Sequence, residues 1–249
     1  MKKFIQTIKN IFSIEELRTR IVNTLGFLII FRLGSFITLP GIDPSKLADN
    51  AGGIFGLLDT FLGGAFSNAS IFALGIMPYI SASIVLQLMT VAVPYFQKLQ
   101  KEGDSGRKKI NQITRVLTIF ICLAQSFGYL SATIPTEAIV LANGFLFKVS
   151  SMIILTAGTI FTMWLGEKIT DKGIGNGISM LIMIGIISRF PAGLIAEGMA
   201  RGMNQALLFL IELVALFFVV LATVALVQAV RRIPVQYAKQ VVGNKIYGG

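Results

Sequence analysis

Six charge-poor runs of membrane length, at 21–40, 71–93, 116–134, 149–166, 177–196 and 207–230, limit what this chain can fold into. Each approaches the ~20 residues that a helix needs to cross ~30 Å of hydrocarbon. Composition agrees: 54% of the 249 residues are hydrophobic and 14% charged, where a soluble domain carries roughly a quarter charged. Mean hydropathy is +0.77. The chain therefore reads as an all-α polytopic membrane protein with six transmembrane helices.

A net charge of +10 would also suit a nucleic-acid binder, and the placement of the charges decides between the two. Seventeen Lys/Arg lie before the first run, between the second and third, between the fourth and fifth, and after the sixth. The alternate side holds four: Lys46, Lys148, Arg189 and Arg201. That bias places both termini in the cytoplasm. Residues 4–20 read as an amphipathic segment at the cytoplasmic interface, entered through a capping box at Ser13-Ile-Glu-Glu16. No small-residue cleavage site follows the basic N-terminus, so no cleavable signal peptide is expected.

Between the first two runs lies "GGIFGLLDTFLGGAF". Its two diglycines bracket nine residues, which as a helix cover about 14 Å, under half a bilayer. The segment cannot span. Either it is re-entrant and buried in protein or lining a cavity, or it lies on the outer surface.

The second run contains "GIMPYISASIVLQ". Pro78 is expected to bend this helix. Ser81, Ser83 and Gln87 give it polar positions, while Ile76 and Ile80 are spaced four apart. Beside a re-entrant neighbour, that mixture suits a helix lining a pathway. The fifth run opens with "DKGIGNGISMLI", where Ile178 and Ile182 repeat the spacing. Its glycines fit a tight turn in which Asn176 caps the next helix better than they fit a phosphate loop. Arg32, about twelve residues into the first run, must face the interior and find carbonyls or an acid. Glu212 lies near the outer end of the sixth run, where snorkelling suffices. Cys122 reads as a small buried side chain.

The zero count of histidine removes the usual general base and the commonest metal ligand. No metal, cofactor or catalytic residue is expected, and a membrane-embedded protease is disfavoured because its serine–histidine pair cannot form and the aspartates that could replace it lie at loops or span ends. A secondary transporter with broken helices is the alternative, although Arg32 alone would supply its midplane site. The tail "RRIPVQYAKQVVGNKIYGG" reads as a cytoplasmic hairpin turning at Gly243-Asn244 and displaying Arg231, Arg232, Lys239 and Lys245.

Five stretches, "FRLGSFITLPGID", "FLGGAFSNASIFALGIMPYISASI", "KEGDSGRKKINQ", "WLGEKITDKGIGNGIS" and "RRIPVQYAKQ", together resemble the SecY family from about residue 15 onward, in order and spacing. The resemblance implies a non-enzymatic channel subunit of the bacterial plasma (inner) membrane, built as inverted repeats, that passes unfolded secretory polypeptides across and releases membrane segments sideways. It implies SecE and SecG subunits, the ribosome (its RNA and the protein at its exit tunnel), SecA, signal peptides, nascent chains and the lipid bilayer as partners. On this chain it makes 54–66 the plug, with Ile54, Phe55, Leu57, Leu58, Phe61, Leu62 and Phe66. Ile76, Ile80, Ile178 and Ile182 become part of an apolar pore ring. Ser81 and Gln87, with the run 116–134, become one jaw of a lateral gate. Arg231, Arg232, Lys239 and Lys245 begin the ribosome- and SecA-docking loop. The domains so implied are 1–20, a cytoplasmic segment; 21–196, the first channel half with the cytoplasmic loop 94–115; 207–230, the sixth span; and 231–249, the docking loop. Gly249 then falls before the family's last four spans, which carry the second gate jaw.

Overall fold

The computed structural model describes residues 6, 10, 12–47, 53–140, 144–201, 206–230, 240–242 and 245–247. Helices dominate these residues: α1 (Glu15–Gly34), α2 (Gly53–Leu62), α3 (Met77–Ala92), α4 (Pro94–Lys101), α5 (Asp104–Thr133), α6 (Gly144–Lys172), α7 (Gly177–Arg201) and α8 (Ala206–Gln228). Two three-residue strands, β1 (Gln240–Val242) and β2 (Lys245–Tyr247), pair antiparallel with Val242 opposite Lys245. The chain divides into two units, residues 1–191 and 192–249.

Each of the six expected runs falls on a helix, with shifted ends. α5, α6, α7 and α8 are long and apolar enough to cross a membrane, and α3 joined to α4 is a bent fifth candidate. α1 differs, because every 18-residue stretch of it holds at least three charged residues, drawn from Glu15, Glu16, Arg18, Arg20 and Arg32. It also begins at Glu15 and stops at Gly34, so residues 35–40 are not helical. The second run likewise starts its helix at Met77, because 71–76 form turns. These apolar residues build a crust outside the helices. Leu39 N–H donates to Ala69 O at 2.8 Å and Ile71 N–H to Ile37 O at 2.9 Å, while Asp43 N–H reaches Ala138 O at 2.9 Å. Apolar composition there records burial within protein: Leu39, Ala69 and Ala73 are all buried. At the edge of the crust, Asp43 accepts from the Ser45 hydroxyl at 2.7 Å and the Ser45 amide at 3.1 Å. These bonds hold its carboxyl below the ordinary value.

Two local expectations are corrected. Pro78 occupies the first turn of α3, where its missing N–H has no helical partner to lose, so it starts the helix rather than bending it. The bend comes later, at Val93, where α4 leaves α3 at 97°. The capping box does not form: Ser13 Oγ donates to Asn10 O at 2.7 Å, and Ile14 precedes α1 with no side-chain cap.

The first unit is held mainly by α5, which packs against α3 on one side and α6 on another. Along α5, Thr114, Thr118, Cys122 and Ser126 are buried at four-residue spacing, facing Leu155, Thr159 and Thr162 of α6. The hydroxyls return bonds to their own helices, as Thr118 does to Thr114 O at 2.7 Å and Thr162 to Gly158 O at 2.8 Å. Self-satisfied small residues let two helices approach closely at little polar cost, with Thr133 Oγ1 of α5 and Ser151 Oγ of α6 the buried exceptions. Cys122, fully buried as expected, donates to Thr159 Oγ1 at 3.3 Å. At the far end of α6, Asn176 accepts from Ser179 N–H at 3.2 Å, the cap read from sequence. Thr24 of α1 accepts from Ile174 N–H at 3.0 Å, tying that turn to the first helix.

Candidate functional site

α2 is ten residues long, about 15 Å as a helix, and ends in a glycine turn. Gly63 and Gly64 have φ of +64° and +92°, the left-handed region that a side chain strains to enter. They serve a second purpose. A Cβ on Gly63 would lie 2.6 Å from Arg32 Nη1, and one on Gly64 would lie 2.8 Å from Arg189 Nη2. Two guanidiniums thus close on the diglycine from α1 and α7. Arg32 Nη1 donates to Gly63 O at 3.0 Å, the carbonyl partner its position demanded. It sits in the last turn of α1, because the helix ends two residues later and not at 40; a cation there also suits the helix C-terminus.

Arg189 has the stronger partner. It pairs with Asp59 of α2, whose residue is 8% exposed. Ser67, just past the glycine turn, donates to the same carboxylate from its amide at 2.9 Å and its hydroxyl at 3.0 Å. Arg189 Nη2 also donates to Ser67 Oγ at 3.1 Å.

Below α2 the walls become apolar. A cavity of about 210 Å³ is lined by Phe31, Phe61, Leu62, Ile76, Met77, Ile80, Leu181 and Ile182, with no polar side chain among them. A second cavity, about 480 Å³, lies between α2, α3 and α5 and shares Leu62, Met77 and Ile80 as walls. The residues with polar side chains among its walls are Ser81, Gln125 and Tyr129. Tyr129 is committed elsewhere, since its hydroxyl donates to Phe66 O at 2.8 Å and its ring meets Phe66 edge-on at 4.8 Å.

Three of the four singled-out isoleucines, Ile76, Ile80 and Ile182, reach the smaller cavity. Ile178 packs against the same apolar cluster and lines neither cavity described here. Of the short-helix residues, Phe61 and Leu62 face the smaller cavity, and Leu58, Leu62 and Phe66 the larger. Leu57 is 65% exposed. For Ile54 and Phe55 the backbone is described as helix and the side chains lie outside the described residues. Ser81 lines the larger cavity. Gln87, six residues on and about 120° round the helix, is exposed and does not line it. Arg231, Arg232 and Lys239 lie outside the described residues, while Lys245 is placed by its backbone in β2.

Among the described residues, three ion pairs between positions more than ten residues apart escaped the sequence reading. Besides Asp59–Arg189, Arg115 of α5 donates to both oxygens of Glu167 on α6 at 2.8 Å. In the second unit Glu212 pairs with Arg201 at 2.8 Å, so it is partnered rather than snorkelling alone. Asp59, a lone acid within an apolar segment too short to span, was the available signal. Among the described residues no three His, Cys, Asp or Glu side chains gather as metal ligands would.

Comparison with known proteins gives this geometry a context. The chain is 45% identical over 242 residues to the protein translocase subunit SecY of Buchnera aphidicola subsp. Schizaphis graminum, covering 94% of this chain and 55% of that one. Against the same subunit of Escherichia coli K12 it is 43% identical over 245 residues, with 94% and 55% covered. The chain therefore spans about half the length of these curated relatives. Two solved structures share the fold at 18% identity. One is Sec61 in the canine ribosome–channel complex from the endoplasmic reticulum (TM-score 0.60, covering 87% of this chain and 49% of that chain). The other was described as the structure of a protein conducting channel (TM-score 0.57, covering 83% and 46%). The SecY family model matches residues 70–249, most of the sequence, and so this multi-pass membrane chain belongs to the SecY family.

Proposed function

We propose that this chain supplies the first half of a protein-conducting channel that passes unfolded polypeptides across the bacterial inner membrane and releases apolar segments sideways into lipid. The observation that carries the reading is the wholly apolar 210 Å³ constriction, covered on one side by Phe61 and Leu62 of a helix too short to span. Such a constriction empties of water when unoccupied and so resists ions. Its walls offer no directional bonds, which suits a passage that must accept any sequence.

In this reading 54–66 is the plug, Ile76, Ile80, Ile178 and Ile182 are this half's share of the ring, and α3 with α5 is one jaw of the lateral gate. Ser81 faces that jaw's cavity, and Gln87 contributes from another face of α3. The domain division is 1–20, 21–196, 207–230 and 231–249, with both termini cytoplasmic. SecE and SecG complete the assembly, and signal peptides and nascent chains are the substrates. The ribosome and SecA dock on the loop that begins with Arg231, Arg232, Lys239 and Lys245, the ribosome through salt-sensitive phosphate contacts. Because the relatives are named as translocase subunits, the chain is read as a channel component rather than an enzyme.

The test uses the full-length channel in planar bilayers. Replacing the four isoleucines with serine raises the resting ion conductance severalfold. Conductance equal to the parent's rejects the ring, and substrate-coupled proton or sodium flux instead would favour a transporter.

A further inference from the structure

A plug that sealed by apolar contact alone would have no use for a carboxylate, yet Asp59 sits on the buried side of α2. Two guanidiniums and one carboxylate meet at its C-terminal end. Arg32 comes from α1 through the Gly63 carbonyl and Arg189 from α7 through Asp59. Ser67 fixes the carboxylate's orientation with two bonds of its own, so Arg189 meets a preset acceptor.

We propose that the Asp59–Arg189 ion pair is a latch that holds α2 on α7 in the resting channel, so that closure is set by charge as well as by apolar packing. The inference rests on reading α2 as the plug. Its strength fits a contact that must break and re-form. The Asp59 side chain is 12% exposed and that of Arg189 45% exposed, so water reaches one half of the pair. A fully buried pair is far costlier to break, and a fully exposed one holds almost nothing. Departure of this segment leaves Arg189 without its counter-charge and Arg32 without the Gly63 carbonyl.

The full-length channel in planar bilayers, without substrate, tests the latch through four variants: Asp59→Asn, Arg189→Gln, both together, and deletion of 54–66. Each single substitution is expected to raise resting conductance about three- to tenfold. The double variant should be no leakier than the worse single, because the second change removes a contact already lost. Raising the salt concentration should increase the parent's leak, corrected for bath conductivity, and leave the double's unchanged. Parent-like conductance in both singles, or additive effects in the double, overturns the latch. Arg189→Gln alters the water-facing half and still reports on the contact if Asp59→Asn fails to insert. The deletion separates the two readings: if it leaks while the single substitutions do not, the latch alone falls; if it does not leak, α2 is not a plug.

Discussion

Two apolar contacts in the first unit are made in opposite ways. The α5–α6 interface is continuous, with small and hydroxyl side chains from Thr114 to Ser126 set against Leu155 to Thr162, the hydroxyls of Thr114, Thr118, Ser126, Thr156 and Thr162 returned to their own backbone. α2 instead rests on its neighbours at one end. Leu62 is buried, Leu57 and Phe61 remain 65% and 47% exposed, and much of what fixes the seat is polar: Asp59, Ser67, Arg32 and Arg189. The first arrangement loses stability steeply on any change of shape, because helix contact falls away over tenths of an ångström. The second can be broken and remade. On the proposed plug reading, similar hydrophobicity serves a frame in one place and a movable part in the other.

The largest way to test that contrast is to alter the frame. A Cβ on Gly158 of α6 would collide with the Ile71 carbonyl and crowd the Phe72 ring. Backbone cannot step aside as a flexible side chain does, so Gly158→Val should cost about 3 kcal/mol and sharply lower the yield of inserted protein, measured by fluorescence-detected chromatography in detergent. Normal yield would mean α6 and the crust are not rigidly joined. Deleting 54–66 is the opposite case. It removes thirteen residues yet should leave yield and melting temperature close to the parent's while conductance rises. Loss of folding on deletion would make α2 part of the frame.

The sequence made some of this legible. Charge-poor runs located every long helix, because hydrocarbon forces backbone bonds inside the segment, and nine residues between diglycines ruled out a span for α2. The Asn176 cap and the burial of Cys122 followed from residue type and position. What failed were ends and partners. Residues 35–40 and 71–76 are as apolar as a membrane span, but their backbone is satisfied by local turns and by cross-links such as Leu39 to Ala69 and Ile71 to Ile37, a pairing that local periodicity cannot reveal. Pro78 was visible, but its role depended on whether the helix began before or after it. Asp59 and Arg189 stand 130 positions apart, and neither has a local pattern that names the other. The pore-ring, gate and docking residues came from family resemblance; from spacing alone, Ile76 and Ile80 marked no more than one helix face.

The smallest expected effect lies where frame and movable part join. Tyr129 belongs to α5, but its hydroxyl donates to Phe66 O at 2.8 Å, just beyond the glycine turn that ends α2. Tyr129→Phe removes that bond while keeping the edge-on ring contact with Phe66, so it should cost about 1 kcal/mol, well below the Gly158→Val loss. The seal should respond more than the fold. Freed of one anchor, the 63–76 turn holds the C-terminal end of α2 less firmly, and resting conductance should rise by less than threefold, below the expected effect of either latch variant. Thermal unfolding of the purified channel, read beside its bilayer conductance, separates the cases. A small melting shift with a measurable leak places Tyr129 at the hinge between the two regions. A melting loss as large as that of Gly158→Val would place the turn wholly in the frame, and the contrast between fixed interface and movable seat would then have to be drawn inside α2 itself.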